Sequence, residues 1–356
     1  MAYMLSTPLL LLTQFLALML PFLEAKATAK VPAVIVFGDS SVDAGNNNQI
    51  PTIVRSNFEP YGRDFEGGRA IGRFSNGRIP TDFISEAFGL RPTVPAYLDP
   101  SYNISDFAIG VSFASAGTGY DNVTSDVLCV IPLWKELQYY KEYQNKLRAY
   151  LGEQKANETL TKALYVMSLG TNDFLENYYT LPKRRSNYNI DQYQVLLIGI
   201  AKKFFKSLYG LGARKISLGG LPPIGCLPLE RTTNVKGGRS ECVQSYNVVA
   251  MNFNDKLRDL VGEVNKEMPG VRMVFANPYP ILMEIVQKPS LYGFEETAVG
   301  CCVTGMFEMG YPCSRHKPLT CRDANKFVFW DAFHPTEKTN HIIADHFVNT
   351  SLSPFL

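Results

Sequence analysis

Four short segments, far apart in the sequence, contain the residue types that an acyl-transfer site needs. They are Phe37-Gly38-Asp39-Ser40, Gly117 within a run of small residues, Gly170-Thr171-Asn172-Asp173 and Asp331-Ala332-Phe333-His334. Attack on an ester carbonyl requires a nucleophilic oxygen, a base that takes its proton, a group that orients the base, and donors for the oxyanion. One such tetrapeptide alone is typical of an ordinary turn. Four segments in this order, three of them at the ends of predicted strands, predict a catalytic site.

Ser40 is the predicted nucleophile. It lies where a predicted strand gives way to a helix, so we expect an exposed hydroxyl and a backbone N–H that points outward at a helix N-terminus. The alternative is that Ser40 only caps that helix, because serine is a preferred N-cap residue. The tetrapeptide by itself favours the cap, whereas the pairing of Asp331 with His334 favours the nucleophile.

Asp331 and His334 are the predicted orienting acid and base. A carboxylate three residues before an imidazole can accept from its Nδ1–H and leave Nε2 to face the serine. The chain has 4 histidines, and none of the other three has an acid three positions upstream. The alternative is a metal site formed by Asp331, His334, His341 and His346. Because His341 and His346 are five residues apart, they lie off the helix face that ligands at i and i+4 share, and we predict no metal site.

We expect Gly117 and Asn172, with the backbone N–H of Ser40, to form an oxyanion hole. A glycine can bring its N–H close to a substrate because no side chain intervenes, and an asparagine amide can add another donor. Each residue alone is also compatible with a plain turn. The sequence contains no Gly-x-Ser-x-Gly motif and no phosphate-binding or dinucleotide-binding glycine loop, so we predict no cofactor.

The elements that position these residues follow from the hydrophobic pattern. Short apolar runs alternate with longer segments of helical period, which is typical of a parallel sheet covered on both faces. Ligands bind beyond the carboxyl ends of such strands, so the residues that follow the first three strands should meet at one edge. We predict a three-layer α/β/α sandwich of flavodoxin-like type with five parallel strands, at Ala33–Phe37, Phe107–Ala114, Ala163–Leu169, Lys215–Leu218 and Val271–Phe275.

Helical periodicity predicts the covering layers. The segment 46–100 is otherwise rich in turn residues, and we expect an irregular surface there that forms the rim of the substrate site. No linker interrupts the chain, so residues 28–356 are predicted to form a single domain. The predicted helices are one near Thr81–Phe88, then Leu133–Tyr150, Gln192–Tyr209 and Val243–Lys266, and one that starts after Pro335, since proline is favoured in a first turn.

The N-terminal residues are typical of a secretory signal peptide. An apolar run followed by small residues predicts that residues 1–27 are removed, with cleavage between residues 25 and 29. The run is shorter than the roughly 20 residues of a spanning helix, so we expect no stable membrane insertion after cleavage. The lack of Lys or Arg before the run leaves a signal anchor as the alternative. In a secreted chain, the sequons at Asn103, Asn122, Asn157 and Asn349 are expected to be glycosylated surface loops.

The cysteines and charges agree with a globular secreted protein. All seven cysteines lie beyond the signal segment, as disulfides in an oxidising compartment require. We expect disulfides within Cys226 to Cys242 and among Cys302, Cys313 and Cys321. Zinc is the alternative, but no Cys-x-x-Cys pair is present. The 35 basic and 33 acidic residues nearly balance without a long basic stretch, so no nucleic-acid partner is predicted.

With these motifs the chain resembles the plant GDSL-type esterases and lipases of the SGNH hydrolase superfamily. The first block runs from Phe37 to Asn48, with serine at position 41 in place of the leucine of the family's name. The other blocks match over 110–119, 170–174 and 330–336. The resemblance implies the α/β/α fold, secretion, hydrolysis of carboxylic esters, and the roles already assigned to Ser40, His334, Asp331, Gly117 and Asn172.

We therefore expect a secreted serine hydrolase, extracellular or in the cell wall, that cleaves lipid or other acyl esters. Its expected partner is a small-molecule or lipid ester, attacked by Ser40 to give an acyl-enzyme. The alternatives are an acyltransferase that uses the same acyl-enzyme and a non-catalytic secreted binding glycoprotein. Activity should fall on acidification, because a protonated His334 cannot take the serine proton.

Overall fold

The structure is a computed structural model that describes residues 31–234, 241–314 and 317–356. The predicted signal peptide, residues 1–27, lies outside the described residues. The predicted α/β fold with a five-stranded parallel sheet is confirmed, and the strands follow the order β2-β1-β3-β4-β5, as in flavodoxin-like folds. These strands are β1 Val34–Gly38, β2 Gly110–Ser112, β3 Leu164–Ser168, β4 Lys215–Gly219 and β5 Arg272–Ala276.

The sheet lies in the interior because its strands are apolar on both faces. Every residue of β1 is buried, with Ile35 and Phe37 in one hydrophobic cluster and Val34 and Val36 in another. β1 pairs in register with β3, so that Gly38 lies opposite Ser168. The carboxyl ends of these two central strands therefore lie side by side, and the chain leaves both strands at the same edge of the sheet.

The predicted helices are confirmed, with ends shifted by one to two residues. The structure adds helices that the periodicity did not predict, because they are too short to show a helical pattern over the window that such a pattern needs. In chain order the described α-helices are α1 Pro80–Ala87, α2 Ile104–Phe107, α3 Asn122–Leu128, α4 Leu133–Leu151, α5 Glu153–Lys162, α6 Pro182–Arg185, α7 Ile190–Gly210, α8 Pro228–Thr233, α9 Gln244–Glu267, α10 Tyr279–Gln287, α11 Tyr311–Ser314 and α12 Glu337–Asn349.

The predicted start of the second strand, at Phe107, is wrong. Phe107 is the last residue of α2, and β2 begins only at Gly110. The reason is a capping box: the Asn103 side chain accepts from the Ser105 N–H, and the Asp106 side chain accepts from the Asn103 N–H. These caps stabilise a helical turn where hydrophobicity alone favours a strand.

A second, two-stranded parallel sheet, which the sequence did not predict, lies near the C-terminus. Its strands are β6 Glu296–Gly300 and β7 Phe327–Phe329. Two disulfides, Cys301–Cys321 and Cys302–Cys313, follow β6 directly. The adjacent Cys301 and Cys302 are thus bonded to two different later positions, Cys321 and Cys313.

The disulfide expectations are confirmed for two bonds and wrong for one cysteine. Cys226 pairs with Cys242, and Cys302 pairs with Cys313 inside the expected set. Cys321, expected to pair within that set, pairs with Cys301 instead. Cys129 is the exposed cysteine that forms no disulfide.

The segment before α1 is irregular, as predicted, and a buried ion pair holds it. The Arg73 guanidinium donates two hydrogen bonds to the Asp82 carboxylate, both at 2.8 Å. Arg73 also donates to the carbonyl oxygens of Ala44 and Val94. Paired and hydrogen-bonded in this way, the buried charge is compensated, and the segment is fixed against the carboxyl edge of the sheet.

The positions of the four predicted glycosylation sites can be compared with the surface of the structure. The asparagines of the four sequons are all exposed. Asn103 caps α2, whereas the other three lie in helices rather than in loops, so the sites are on the surface but the expected loop conformation is wrong for those three. Glycosylation itself stays a prediction. Within the described part of the chain, no helix is long and apolar enough to cross a membrane.

Candidate active site

The structure brings the predicted nucleophile, base and acid into one chain of hydrogen bonds. Ser40 Oγ lies 2.8 Å from His334 Nε2, and His334 Nδ1 lies 2.8 Å from Asp331 Oδ2. All three side chains are buried, although the serine and the acid are 291 positions apart in the sequence. This is the relative placement that a serine–histidine–aspartate triad requires.

Ser40 is held in a tight turn at the end of β1. A β-carbon added at Gly38 would lie 2.0 Å from the carbonyl oxygen of Ser168, and the φ angle of Gly38 is +140°. Asp39 accepts from the N–H and the hydroxyl of Ser41 at 3.0 and 2.7 Å. Position 38 therefore requires glycine, and the hydrogen bonds of the Asp39 carboxylate stabilise the turn that holds Ser40.

The prediction that a helix starts at Ser40 is wrong. The chain continues as a turn, and the next helical segment is the 3-10 turn Asn46–Gln49. Asp43 causes this, because its carboxylate accepts from the backbone N–H groups of Gly45 and Asn46 at 2.7 and 2.8 Å. Ser40 therefore caps no helix, and the alternative interpretation of this serine is also wrong.

Asp331 accepts hydrogen bonds from four directions. The backbone N–H groups of Phe333 and His334 donate to Oδ1 at 2.8 and 2.6 Å, and the imidazole approaches Oδ2. The fourth donor is the hydroxyl of Tyr61, 2.6 Å from Oδ2. Tyr61 is buried and accepts from the Gly310 N–H at 2.8 Å, so its hydroxyl is fixed toward the acid. Sequence reasoning missed this residue, since nothing in the printed chain links positions 61 and 331.

Two aromatic rings restrict the orientation of the imidazole. The rings of Phe74 and Phe333 lie with their centroids 4.9 and 5.2 Å from that of His334. With Nδ1 bonded to Asp331, the ring has little freedom to turn away from Ser40. The imidazole of His334 is thus held in place by packing as well as by hydrogen bonds.

The predicted oxyanion residues line the same opening as Ser40. This opening, the active-site cleft, has a volume of about 610 Å³ and is lined by Ser40, Gly117, Asn172 and His334 together with Arg55 and Glu176. Gly117 has a φ angle of +88°, which favours glycine. The Asn172 amide donates one hydrogen bond to the Thr118 carbonyl at 3.0 Å, and its second N–H is available for a substrate oxygen.

Buried acids tie the separate blocks together. Asp43 accepts from the backbone N–H of Ala116 at 2.9 Å, which places the chain just before Gly117. Asp173 accepts from the N–H groups of Tyr120 and Asp121 at 2.8 and 3.0 Å, which joins the second block to the third. Sequence reasoning gave neither acid a role. Their signal was present, since both lie in the quoted motif blocks, Asp43 three residues after Ser40 and Asp173 directly after Asn172.

Burial leaves several of these carboxyl groups poorly solvated. It raises the pKa of Asp39 and of Asp43 to about 6, and the pKa of Asp173 to about 7. Burial also raises the pKa of Glu136 well above its usual range. The Glu136 carboxyl accepts from the Gly38 N–H at 3.0 Å, directly behind the nucleophile turn.

The rival metal site does not assemble. The exposed His341 ring stacks on Phe83 at 4.4 Å between centroids and lies 3.4 Å from Asp345. Nowhere in the described ranges do three or more His, Cys, Asp or Glu side chains form a group that could hold a metal ion.

Known proteins resemble this chain over most of its length. A family model described as GDSL-like Lipase/Acylhydrolase matches residues 34–347. A GDSL esterase/lipase from Arabidopsis thaliana is 63% identical over 327 residues, covering 92% of this chain and 93% of that protein. A second from the same plant is 63% identical over 332 residues, with 93% and 95% covered. A third is 59% identical over 327 residues, with 92% and 93% covered.

Tyr61→Phe should lower kcat for an ester substrate roughly tenfold or more, because it removes a hydrogen bond to a charged carboxylate. KM should change little, since Tyr61 does not line the cleft. Tyr120→Phe is the matched control, because the buried Tyr120 hydroxyl has no hydrogen-bond partner among the residues that the structure describes. Steady-state kinetics check this. Equal losses in both variants, or a change confined to KM, would show that Tyr61 does not position the acid.

The free energy of unfolding should fall as the pH rises from about 4 to about 7. The raised pKa values of Asp39, Asp43 and Asp173 lie above the roughly 3.9 of an unfolded aspartate. Between these two pKa values the folded protein still binds protons that the unfolded chain has released. The stabilisation from these carboxyl groups is therefore complete at low pH and is lost as the pH rises through the pKa of the folded state. Urea denaturation at several pH values measures it, with a weaker dependence expected for Asp173→Asn. Stability that rises through this window would contradict the expectation.

Proposed function

The chain belongs to the GDSL-like lipase/acylhydrolase family, whose esterases and lipases hydrolyse carboxylic esters, and we propose that it does so through Ser40, His334, Asp331 and an acyl-enzyme. One observation carries the proposal. The Ser40 hydroxyl lies 2.8 Å from His334 Nε2 in the wall of a cleft that Gly117 and Asn172 also line. Nucleophile, base and oxyanion donors thus face one substrate-sized space.

In the first half-reaction, His334 Nε2 takes the Ser40 proton while Oγ bonds to the carbonyl carbon. The carbonyl electron pair moves onto oxygen, where the N–H groups of Ser40, Gly117 and the Asn172 amide stabilise the oxyanion. The Asp331 carboxylate stabilises the imidazolium. The oxyanion then collapses, the bond to the alcohol oxygen breaks, and His334 donates its proton to that oxygen.

In the second half-reaction, water takes the place of the alcohol. His334 removes a proton from the water as its oxygen attacks the acyl carbon, and the same donors hold the new oxyanion. Collapse releases the carboxylic acid and returns the proton to Ser40. No redox step occurs, and every proton moves through the single imidazole.

We further propose that the protein is secreted, extracellular or in the cell wall. In this proposal residues 1–27 form a signal peptide and residues 28–356 a single domain. Three disulfides support export, because such bonds persist in oxidising compartments. The exposed asparagines of the four sequons support glycosylation on the same route.

Ser40→Ala should reduce ester hydrolysis below detection, since loss of a triad serine costs on the order of 10⁶ in kcat. The exposed Ser290→Ala should keep full activity. A fluorophosphonate should label Ser40 in the wild type, and mass spectrometry of the labelled peptide checks the position. Labelling elsewhere, or equal hydrolysis by folded wild type and Ser40→Ala, would remove Ser40 as nucleophile. With added glycerol, a glyceryl ester as main product would favour acyl transfer over hydrolysis.

Asn172→Ala should lower kcat by about 10² to 10³ while the fold is kept, as the loss of one oxyanion donor does. Circular dichroism and p-nitrophenyl acetate kinetics measure fold and turnover. The exposed Asn325→Ala is the matched control. Unchanged turnover in a well-folded Asn172→Ala protein would exclude this amide from the oxyanion hole.

A further inference from the structure

One charged side chain in the wall of the active-site cleft has no role in the proposed mechanism. Glu176 lines the cleft together with Ser40, Asn172 and His334. Neither the transfer of the serine proton nor the oxyanion hole uses its carboxylate. On the basis of the proposed function, we propose that Glu176 binds the substrate, by accepting a hydrogen bond from a free hydroxyl group on the alcohol part of the ester.

The segment that carries Glu176 is held rigidly. It is the π-helical stretch Asp173–Tyr179, which begins directly after the oxyanion asparagine, and π-helical turns occur frequently at functional sites. Two buried side chains of this stretch share one partner. Asp173 accepts from the Thr124 hydroxyl at 2.7 Å, and the Asn177 amide donates to the same hydroxyl at 3.0 Å. Glu176 lies between these two anchors, so its backbone is fixed beside the cleft.

The Glu176 carboxylate has capacity for a ligand. Among the residues that the structure describes, none pairs with it by a hydrogen bond or an ion pair. Arg55, the arginine of the cleft wall, donates to the backbone carbonyl of Ile50 instead. Burial raises the pKa of Glu176, and the positive charge of a protonated His334 lowers it again in part. An incompletely hydrated carboxylate beside the base is therefore left to pair with a bound molecule.

The order of the two half-reactions places the alcohol part of the ester in the cleft. Ile53 and Tyr311 line this cleft and are 87% and 54% exposed, so the cleft opens to solvent at these residues. After the first half-reaction the alcohol must leave, and water must then reach the same acyl carbon. Both movements need a path to solvent. The alcohol part therefore occupies the open cleft, where Glu176 forms part of the wall.

The chemistry of a carboxylate defines the class of substrate. An ionised carboxylate only accepts hydrogen bonds, so a group that binds it must donate, and in an uncharged ester that group is a hydroxyl. An ester with a plain alkyl alcohol displaces water from the carboxylate without replacing its hydrogen bond. Sites built to bind a substrate hydroxyl discriminate strongly against an analogue that lacks it. The inferred substrates are therefore esters of polyhydric alcohols that keep at least one hydroxyl free.

The first test compares two esters that share the acyl group. For the wild-type protein, kcat/KM should be about tenfold or more higher for glyceryl monobutyrate than for propyl butyrate, as a hydrogen bond to a charged group contributes. A hydroxyl on the acyl side should bring no such gain, so ethyl 3-hydroxybutyrate should not exceed ethyl butyrate. Equal values for the glyceryl and propyl esters, or a gain from the acyl hydroxyl, overturn the proposal. If none of these esters shows hydrolysis that depends on Ser40, the proposed function itself fails, which is a different result.

Two variants test whether Glu176 causes this preference. Glu176→Gln keeps an acceptor but removes the charge, so the glyceryl-to-propyl ratio of kcat/KM should fall in part. Glu176→Ala removes the acceptor, and the preference should disappear. Glu158→Gln, on the exposed surface of α5, is the matched control and should keep the wild-type ratio.

A residue with a merely structural role would lower kcat/KM for both esters together and leave their ratio unchanged. That result in a folded Glu176 variant overturns the proposal, as does an equal change of the ratio in Glu158→Gln. Where Glu176→Ala does not fold, Glu176→Gln and the wild-type comparison decide.

Discussion

A buried carboxylate needs hydrogen-bond donors, and the edge that holds the candidate active site of this protein is built on that requirement. Asp43 accepts hydrogen bonds from backbone N–H groups of its own turn and from Ala116. Asp173 accepts from the loop after Gly119. Asp331 accepts from its own turn and from the Tyr61 hydroxyl. Each acid therefore binds one motif block to another part of the chain. If these bonds were absent, the four turns would have no common geometry, because loops do not hold catalytic distances by themselves.

The parallel sheet provides the second half of this arrangement. In-register pairing of β1 with β3 brings Gly38 opposite Ser168, and the close approach of their backbones leaves no space for a side chain at Gly38. The nucleophile turn is thus fixed by the sheet below it. The same edge leaves two spaces with Ser40 in their walls, a cleft of about 610 Å³ and a cavity of about 120 Å³.

Most of the fold could be predicted because the signal for buried parallel strands is local and strong. The prediction failed where side-chain hydrogen bonds compete with hydrophobicity. Asn103 and Asp106 stabilise a helical turn that includes the apolar Phe107, and Asp43 stabilises a turn where a helix was expected after Ser40. The partner of Cys321 also escaped prediction, because adjacent cysteines give two equally acceptable pairings until the backbone direction is known.

The sequence by itself determined which chemistry is possible, because a serine, an aspartate three residues before a histidine, a glycine and an asparagine are sufficient for acyl transfer and are visible as residue types. It also predicted that Ser40, Gly117 and Asn172 would reach one sheet edge, since the apolar runs indicate parallel strands whose carboxyl ends share that edge. Only the tertiary structure decided that the Tyr61 hydroxyl donates to Asp331 and that Ser40 lies in the walls of two spaces. These features depend on contacts between residues hundreds of positions apart, and pairwise contacts of that kind leave no trace in a single sequence.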